Sequence, residues 1–175
     1  MSDAQIDALD AASRSSDAGT ILSSCGVRVI DLVVGDGPSP SIGQRVYAHY
    51  KVWAGGFRKG PVADYSFQDS RPYDWTLGTP TDRIPFGVDA GVVGMREGGW
   101  RRLVVPSIVA YGDAGLRRIN YGPTGRYVGI KAPYVIDPGA DAYFECAHAH
   151  CYRRLPLTQS HSLFSAWARP ALSLH

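Results

Sequence analysis

The sequence contains no long run of apolar residues. A helix needs roughly 18 to 20 consecutive apolar residues to cross a bilayer, and no stretch of these 175 residues approaches that length. The first residues also lack the basic segment and the apolar core of a secretory signal. We therefore expect no transmembrane segment and see no signal peptide, while a transit peptide removed beforehand stays compatible with the sequence.

Cysteine is scarce as well, with Cys25, Cys146 and Cys151 as its only members. Cys146 and Cys151 fall on one predicted strand about 16 Å apart, which is too far for a disulfide. On the same strand, Cys146, His148 and His150 would share one face at about 6.6 Å spacing, which is awkward for a single small ion. We expect these residues to have a packing role and predict no metal site.

Motifs for nucleotide binding and for nucleophilic catalysis are missing too. The segment Gly94–Gly99 is rich in glycine but does not fit a phosphate-binding loop. No motif supports a Ser-His-Asp arrangement. We therefore expect no cofactor.

Lysine is rare, because 15 of the 18 basic residues are arginine. Doublets occur at Arg101-Arg102, Arg117-Arg118 and Arg153-Arg154. Arginine forms bidentate contacts that suit protein interfaces and phosphates, but no known nucleic-acid-binding module is visible. We expect protein partners and no nucleic acid; an ordinary solvated surface and docking on a membrane surface stay open as alternative interpretations.

Glycine and proline, in contrast, are abundant, with 20 and 12 residues. So many turn formers predict a β-rich fold. The hydrophobic pattern predicts one short helix at Gly87–Met95 and strands at Gly26–Val34, Val46–Lys51, Pro72–Gly78, Trp100–Val105 and Ala142–Tyr152.

The same pattern predicts three regions along the chain. An N-terminal helix (Ser2–Ala12) and linker occupy residues 1–21, and a compact domain occupies residues 22–153. The domain includes a long loop at about 116–135, Leu116–Val135, and a C-terminal extension follows at residues 154–175.

The most informative stretch is Gly91–Gly112, which reads GVVGMREGGWRRLVVPSIVAYG. Gly98-Gly99 suits a tight reversal with positive φ, Pro106 stops an apolar strand, and Tyr111 then falls in a loop. This stretch resembles the FKBP-type peptidyl-prolyl cis-trans isomerases, whose pattern is GVxGMxxGxxRxLxIPxxLAYG. The resemblance implies an α+β fold, a twisted antiparallel β-sheet of about five strands wrapped around one short helix.

The resemblance also implies a pocket for proline-containing polypeptides. Its matching segments are HYKV, ADYS, RPYDW, IPFGV, VAYG and IDPGADAYFE. They carry over the family's pocket residues as Tyr50, Asp64, Tyr73, Ile84, Tyr111, Ile136 and Phe144. Tyr111 would donate its hydroxyl hydrogen to a ligand carbonyl. Such an enzyme needs neither a nucleophile nor a proton transfer, because it binds the twisted X-Pro bond better than either planar isomer.

Three positions depart from the family pattern. Ala63 replaces a phenylalanine wall, and Val88 replaces the tryptophan floor. Pro85 has no N–H at the position where the family donates one to the substrate. One such lost bond costs about 1–3 kcal/mol, and about 1.4 kcal/mol is already tenfold in rate.

We therefore expect a peptidyl-prolyl cis-trans isomerase with low activity. The alternative is a catalytically silent docking subunit of a larger complex, photosynthetic or otherwise membrane-associated. It would contact its partners through the termini, the Leu116–Val135 loop and the arginine doublets. The segments Ser41–Gly56 and Val88–Gly112 resemble family members of the plastid thylakoid lumen, which implies that location; the mitochondrion and the cytosol are the alternatives.

Overall fold

A computed structural model of the chain describes residues 19–66, 71–117 and 134–151. All of these residues belong to one compact unit, Gly19–Tyr152. The predicted helix at Ser2–Ala12 and the extension at 154–175 lie outside the described residues, so the domain boundaries stay a prediction. Within the described ranges, no helix is long and apolar enough to cross a bilayer.

An antiparallel sheet forms the frame of this unit. The described strands are β1 (Thr20–Ile21), β2 (Arg28–Val33), β3 (Arg45–Ala54), β4 (Asp64–Tyr65), β5 (Tyr73–Thr76), β6 (Trp100–Val105), β7 (Leu116–Arg117), β8 (Tyr134–Ile136) and β9 (Ala142–Cys151). The main sheet has the order β1-β2-β6-β9-β3-β4, and β5 also pairs with β3. The five predicted strands are present as β2, β3, β5, β6 and β9.

One α-helix, α1 at Phe86–Val92, is present among the described residues and confirms the predicted helix. Two glycines allow it to lie close to β6. A Cβ at Gly87 would lie 2.4 Å from Val105 Cγ1, and a Cβ at Gly91 would lie 2.7 Å from Leu103 Cδ2. Such distances exclude a side chain, so the glycines set how closely the helix approaches the sheet. The sheet and the single helix confirm the predicted α+β fold.

Arg101 attaches the end of this helix to the sheet. Its Nη1 donates to the carbonyls of Gly91 at 2.8 Å and of Val93 at 3.1 Å. These carbonyls lie at the C-terminal end of α1, where no intrahelical N–H is left to bind them. The same guanidinium pairs with Asp31 on β2, with Nε–Oδ1 and Nη2–Oδ2 distances of 2.6 and 3.0 Å.

The predicted docking role of the Arg101-Arg102 doublet is wrong. Arg102 has 0% exposed surface and pairs with Glu145 on β9 at 3.0 and 3.1 Å. Neighbouring residues of a strand point to opposite faces, so the two guanidiniums are buried on different faces of the sheet and each has a carboxylate partner. Of the other doublets, Arg117 is exposed, and the remaining members lie outside the described residues.

The predicted Leu116–Val135 loop is wrong at its two ends. Leu116 pairs with Ile136 and Arg117 pairs with Tyr134, so β7 and β8 form a two-stranded sheet. No local pattern indicates this pairing, because each strand is only two or three residues long. Residues 118–133, the middle of the predicted loop, lie outside the described part of the chain.

The turn predicted at Gly98-Gly99 uses its two glycines differently. Gly98 has a φ of +80°, the left-handed conformation that glycine adopts without strain. Gly99 is required for space, because a Cβ there would lie 2.8 Å from the carbonyl oxygen of Arg96. Strand β6 then begins at Trp100 and ends before Pro106, as predicted.

Candidate active site

Four aromatic residues from four parts of the fold come together beside the helix. Tyr50 lies on β3 and Phe144 on the adjacent β9, and their ring centroids are 5.9 Å apart. Tyr73, on β5, meets Tyr50 edge-on at 6.0 Å. Tyr111, in the loop after β6, stacks on Phe144 at 6.4 Å. Edge-to-face and offset stacks of this kind are favourable for aromatic rings.

The two aliphatic residues of the predicted pocket join the same core. Ile84 immediately precedes Pro85 and α1, and Ile136 closes β8; both are fully buried in the cluster that contains Tyr50 and Phe144. Six of the seven predicted residues therefore contribute apolar or aromatic surface to one place, although they are spread along almost 100 positions of the sequence.

Asp64, the seventh predicted residue, connects the rim of this cluster. Its Oδ2 accepts a hydrogen bond from the Tyr50 hydroxyl at 2.5 Å. Arg83 binds the same carboxylate through two N–H groups, with Nε–Oδ2 and Nη2–Oδ1 distances of 3.1 Å each. A bidentate pair of this type fixes the direction of both groups. Asp64 therefore holds Tyr50 and Arg83 relative to each other.

Arg83 is the residue that the sequence reasoning missed. Its Cζ lies 4.9 Å from the centroid of the Tyr73 ring and 5.6 Å from that of the Tyr50 ring. Its backbone carbonyl accepts a hydrogen bond from the Tyr111 hydroxyl at 3.4 Å. The available signal was its place directly before the IPFGV segment, but a charged loop residue ordinarily indicates a solvated position.

Tyr50 and Tyr111 stay protonated. Burial, reinforced by the hydrogen bond to Asp64, raises the pKa of Tyr50. Burial, with a smaller contribution from the charge of Asp64, also raises the pKa of Tyr111. Both hydroxyls therefore act as hydrogen-bond donors over the whole physiological pH range.

The backbone before the helix offers no replacement for the N–H that Pro85 lacks. Pro85 precedes the first residue of α1, and its carbonyl accepts from Val88 N at 2.9 Å and Asp89 N at 3.1 Å. The N–H of Ile84 is already bound to Thr81 Oγ1 at 3.0 Å. Neither residue of this turn has an N–H available for a substrate carbonyl.

A tryptophan lies under the cluster, but it comes from a strand. Val88, at the family's tryptophan position, is fully buried on α1. Trp75 on β5 stacks with Tyr73, with ring centroids 6.4 Å apart. Its Nε1 donates to Oδ1 of Asp89, the residue after Val88, at 2.7 Å. The indole is therefore fixed against the helix by a hydrogen bond between two buried residues.

An open groove of about 530 Å³ lies next to this cluster. Its walls include Tyr111 and Pro85 together with Thr81, Asp82 and the half-exposed Phe86. Further apolar lining comes from Pro80, Ala110, Ala114 and Leu116. The groove has the size of a site for a few amino-acid residues and is bordered by the hydroxyl-bearing Tyr111.

Metal ligands are not grouped in the part of the chain that the structure describes, where no three His, Cys, Asp or Glu side chains could hold an ion together. The regular strand face on which the sequence analysis placed Cys146, His148 and His150 is interrupted by a register shift. Tyr47 pairs with His150 and Ala48 with His148, so β9 contains an extra residue there.

The chain has an α+β fold in which an antiparallel sheet packs on one short helix. An aromatic cluster lies at the start of that helix. Residues 37–147, more than half of the chain, match the model of the family described as FKBP-type peptidyl-prolyl cis-trans isomerase. The chain is therefore a member of this family, as its sequence predicted.

Individual relatives agree with this assignment. An FK506-binding protein of Streptomyces anulatus is 40% identical over 85 residues, which are 49% of this chain and 65% of that protein. The chloroplastic isomerase FKBP16-3 of Arabidopsis thaliana is 34% identical over 86 residues, 49% of this chain and 36% of that protein. This chain thus spans less than two thirds of either relative.

A solved structure shows the same fold. The peptidyl-prolyl cis-trans isomerase of Pseudomonas syringae pv. tomato superimposes with a TM-score of 0.58 at 24% identity and covers 86% of this chain and 95% of its own.

Proposed function

We propose that this chain binds proline-containing polypeptides and catalyses the cis-trans isomerisation of X-Pro bonds at a low rate. The observation that carries the proposal is the convergence of Tyr50, Tyr73, Tyr111 and Phe144 on one place in a member of the isomerase family. Ile84, Ile136 and Asp64 complete the proposed site. It uses neither a metal nor a cofactor.

The chemistry needs only binding and desolvation. Rotation about the peptide bond has a barrier of about 18–20 kcal/mol, because resonance gives the bond partial double-bond character. An apolar, aromatic site favours the twisted bond, which has lost that charge separation. Tyr111 is the proposed donor to a substrate carbonyl, and its bond to Arg83 O is long enough at 3.4 Å to be exchanged for a better one.

A prolyl-peptide isomerisation assay with the purified full chain tests the proposal. We expect measurable kcat/KM well below that of the Pseudomonas syringae isomerase assayed in parallel, and inhibition by FK506, the ligand named for the Streptomyces relative. Turnover equal to that of the comparison enzyme would contradict the proposal that the activity is low. Turnover no faster than the uncatalysed rate would contradict the proposal that the chain is an isomerase.

Restoring the missing groups is the sharper experiment. Pro85→Ile returns the backbone N–H, and Val88→Trp returns the family's floor residue. One regained hydrogen bond of about 1.4 kcal/mol corresponds to about a tenfold increase in kcat/KM. Pro80→Ile is the matched control, because it changes a proline of the adjacent groove without touching the turn before α1. An unchanged rate in the double variant would show that these positions are not the limiting ones.

A catalytically silent docking subunit is the second candidate. The absent N–H of Pro85, with that of Ile84 already bound, favours it. The proposed contacts are the chain termini and the 116–135 region. Affinity capture of the native protein distinguishes the two candidates: stable partners, together with no gain in Pro85→Ile, support the docking role.

We propose a plastid location, and the thylakoid lumen within it. The proposal is supported by the similarity to the Arabidopsis protein named chloroplastic. Fractionation of plastids followed by protease treatment tests both levels. Recovery in the lumen fraction is the expected result, and recovery in the mitochondrion or cytosol contradicts it.

A further inference from the structure

Four of the seven residues of the predicted pocket are buried in this structure. Tyr50, Ile136 and Phe144 have 0% exposed surface and Ile84 has 1%. A ring that binds among these side chains needs open volume. The adjacent groove reaches Tyr111, but Tyr50, Tyr73 and Phe144 are not among its walls. Tyr73 and Tyr111 are partly exposed, but neighbouring side chains have to move before a prolyl ring can contact Tyr50 or Phe144.

The guanidinium of Arg83 lies against these faces. The rings of Tyr50 and Tyr73 meet at 89°, and the Arg83 Cζ is within 6 Å of both centroids, at 5.6 and 4.9 Å. The planar group thus occupies the corner between the two rings. A guanidinium is flat, weakly hydrated and attracted to aromatic faces, so it resembles a small planar ligand in this position.

Arg83 is held there from two sides. Its side chain is bound bidentately by Asp64. Its backbone belongs to a turn in which Thr81 N donates to Ile84 O at 2.8 Å and the Tyr111 hydroxyl binds the Arg83 carbonyl. Arg83 is thus held at its backbone and at its guanidinium. Any ligand that contacts the same ring faces has to displace this side chain, which costs binding free energy.

We propose that Arg83 fills the place of the prolyl ring between Tyr50 and Tyr73, and that a prolyl segment contacts these two rings only when this side chain is displaced. The inference rests on the proposed function in that the entering ligand is a prolyl segment. The shielding itself concerns only Arg83 and the two rings, and it is tested separately.

The first measurement needs no ligand. A soluble nitroxide enhances the NMR relaxation of ring protons that solvent reaches, and Tyr50 and Tyr73 report on the corner directly. We expect a severalfold larger enhancement at both rings in Arg83→Ala and an intermediate one in Arg83→Lys, which keeps the charge but loses the planar fork. Arg45→Ala is the matched control, because it removes another Arg–Asp pair, with Asp74. If the nitroxide enhances the relaxation of both rings no more in Arg83→Ala than in the wild type, the proposal is overturned.

The second measurement uses the tetrapeptide Ala-Leu-Pro-Phe as the probe. Removing a guanidinium that competes for two aromatic faces should tighten binding on the order of tenfold in Arg83→Ala, with Arg45→Ala unchanged. Equal or weaker measurable binding by Arg83→Ala overturns the proposal. If the rings become accessible in Arg83→Ala but no variant binds the peptide, the shielding of the rings by Arg83 is supported and the proposed function is rejected. Thermal unfolding verifies that each variant is folded, and Arg83→Lys serves if the alanine variant is not.

Discussion

At the scale of single residues, His49 and Ser66 form a buried hydrogen-bonded pair behind the site. Ser66 Oγ accepts from the N–H of Tyr50 at 3.1 Å and is hydrogen-bonded to His49 Nδ1 at 3.0 Å. The imidazole is thus enclosed in the fold beside a neutral hydroxyl. Burial lowers the pKa of His49 from 6.5 to about 4.

This pair predicts a loss of stability in mild acid. Because the folded protein binds the His49 proton less readily than the unfolded chain, stability falls as the pH drops from about 6.5 towards 4. We expect His49 to account for on the order of 2 kcal/mol of that loss. Urea unfolding of wild type and His49→Gln at pH 7.5 and 4.5 measures it, since Gln still binds Ser66 but does not titrate. Parallel pH dependence of the two proteins would contradict the assignment.

At the scale of secondary-structure elements, a row of charged residues crosses three strands of the sheet. Arg102 on β6 pairs with Glu145 on β9, and Glu145 lies opposite Lys51 on β3. Arg58 reaches Glu145 at 3.4 Å from the loop after β3, and Phe57 of the same loop covers Arg102 at 4.7 Å. One buried carboxylate therefore faces three cations.

This imbalance predicts unequal effects of removing the two partners. Glu145→Leu leaves Arg102 buried without its carboxylate, with Lys51 and Arg58 nearby, and should cost about 3–5 kcal/mol of unfolding free energy. Arg102→Leu should cost less, because the carboxylate keeps two cations. Chemical denaturation of both single variants and the double variant tests this. If the two single variants lose equal unfolding free energy and the losses add in the double variant, the charged residues of this row are not coupled.

The elements also show what a sequence can and cannot predict. Strands β2, β3, β6 and β9 and helix α1 follow from hydrophobic period and from turn residues such as Gly98 and Pro106, which act locally. The two-residue strands β1 and β4 depend on the neighbour they pair with, and no local pattern marks them. The position of Arg83 beside the aromatic rings and the burial of Arg102 were not predicted, because each depends on a distant carboxylate, Asp64 for Arg83 and Glu145 for Arg102.

At the scale of the whole molecule, we expect the residues at the centre of the sheet to become exposed to solvent only when the domain unfolds. Cys146 lies on β9 between Arg101 on β6 and Tyr50 on β3. Burial, with a smaller contribution from Glu145, raises the pKa of its thiol to about 12. Since only the thiolate reacts, the native thiol is inert.

Alkylation of Cys146 should therefore report unfolding of the entire domain. We expect its labelling by iodoacetamide, followed by peptide mass spectrometry, to rise with denaturant in step with global unfolding. Cys25, which is partly exposed, serves as the internal control and should label in the native protein. Labelling of Cys146 at a rate that denaturant does not change would indicate local opening of β9.

The attachment of α1 by Arg101 has a consequence for movement within the molecule. The C-terminal end of the helix is bound to β6 and, through Asp31, to β2. Its N-terminal end begins one residue after Pro85, beside the turn that carries Arg83. The helix is also bound through Asp89, whose carboxylate accepts from Trp75 Nε1 and from the N–H of Gly78. Because the helix is bound at both of these places, opening of the proposed site requires displacement of the Arg83 side chain and not of the helix.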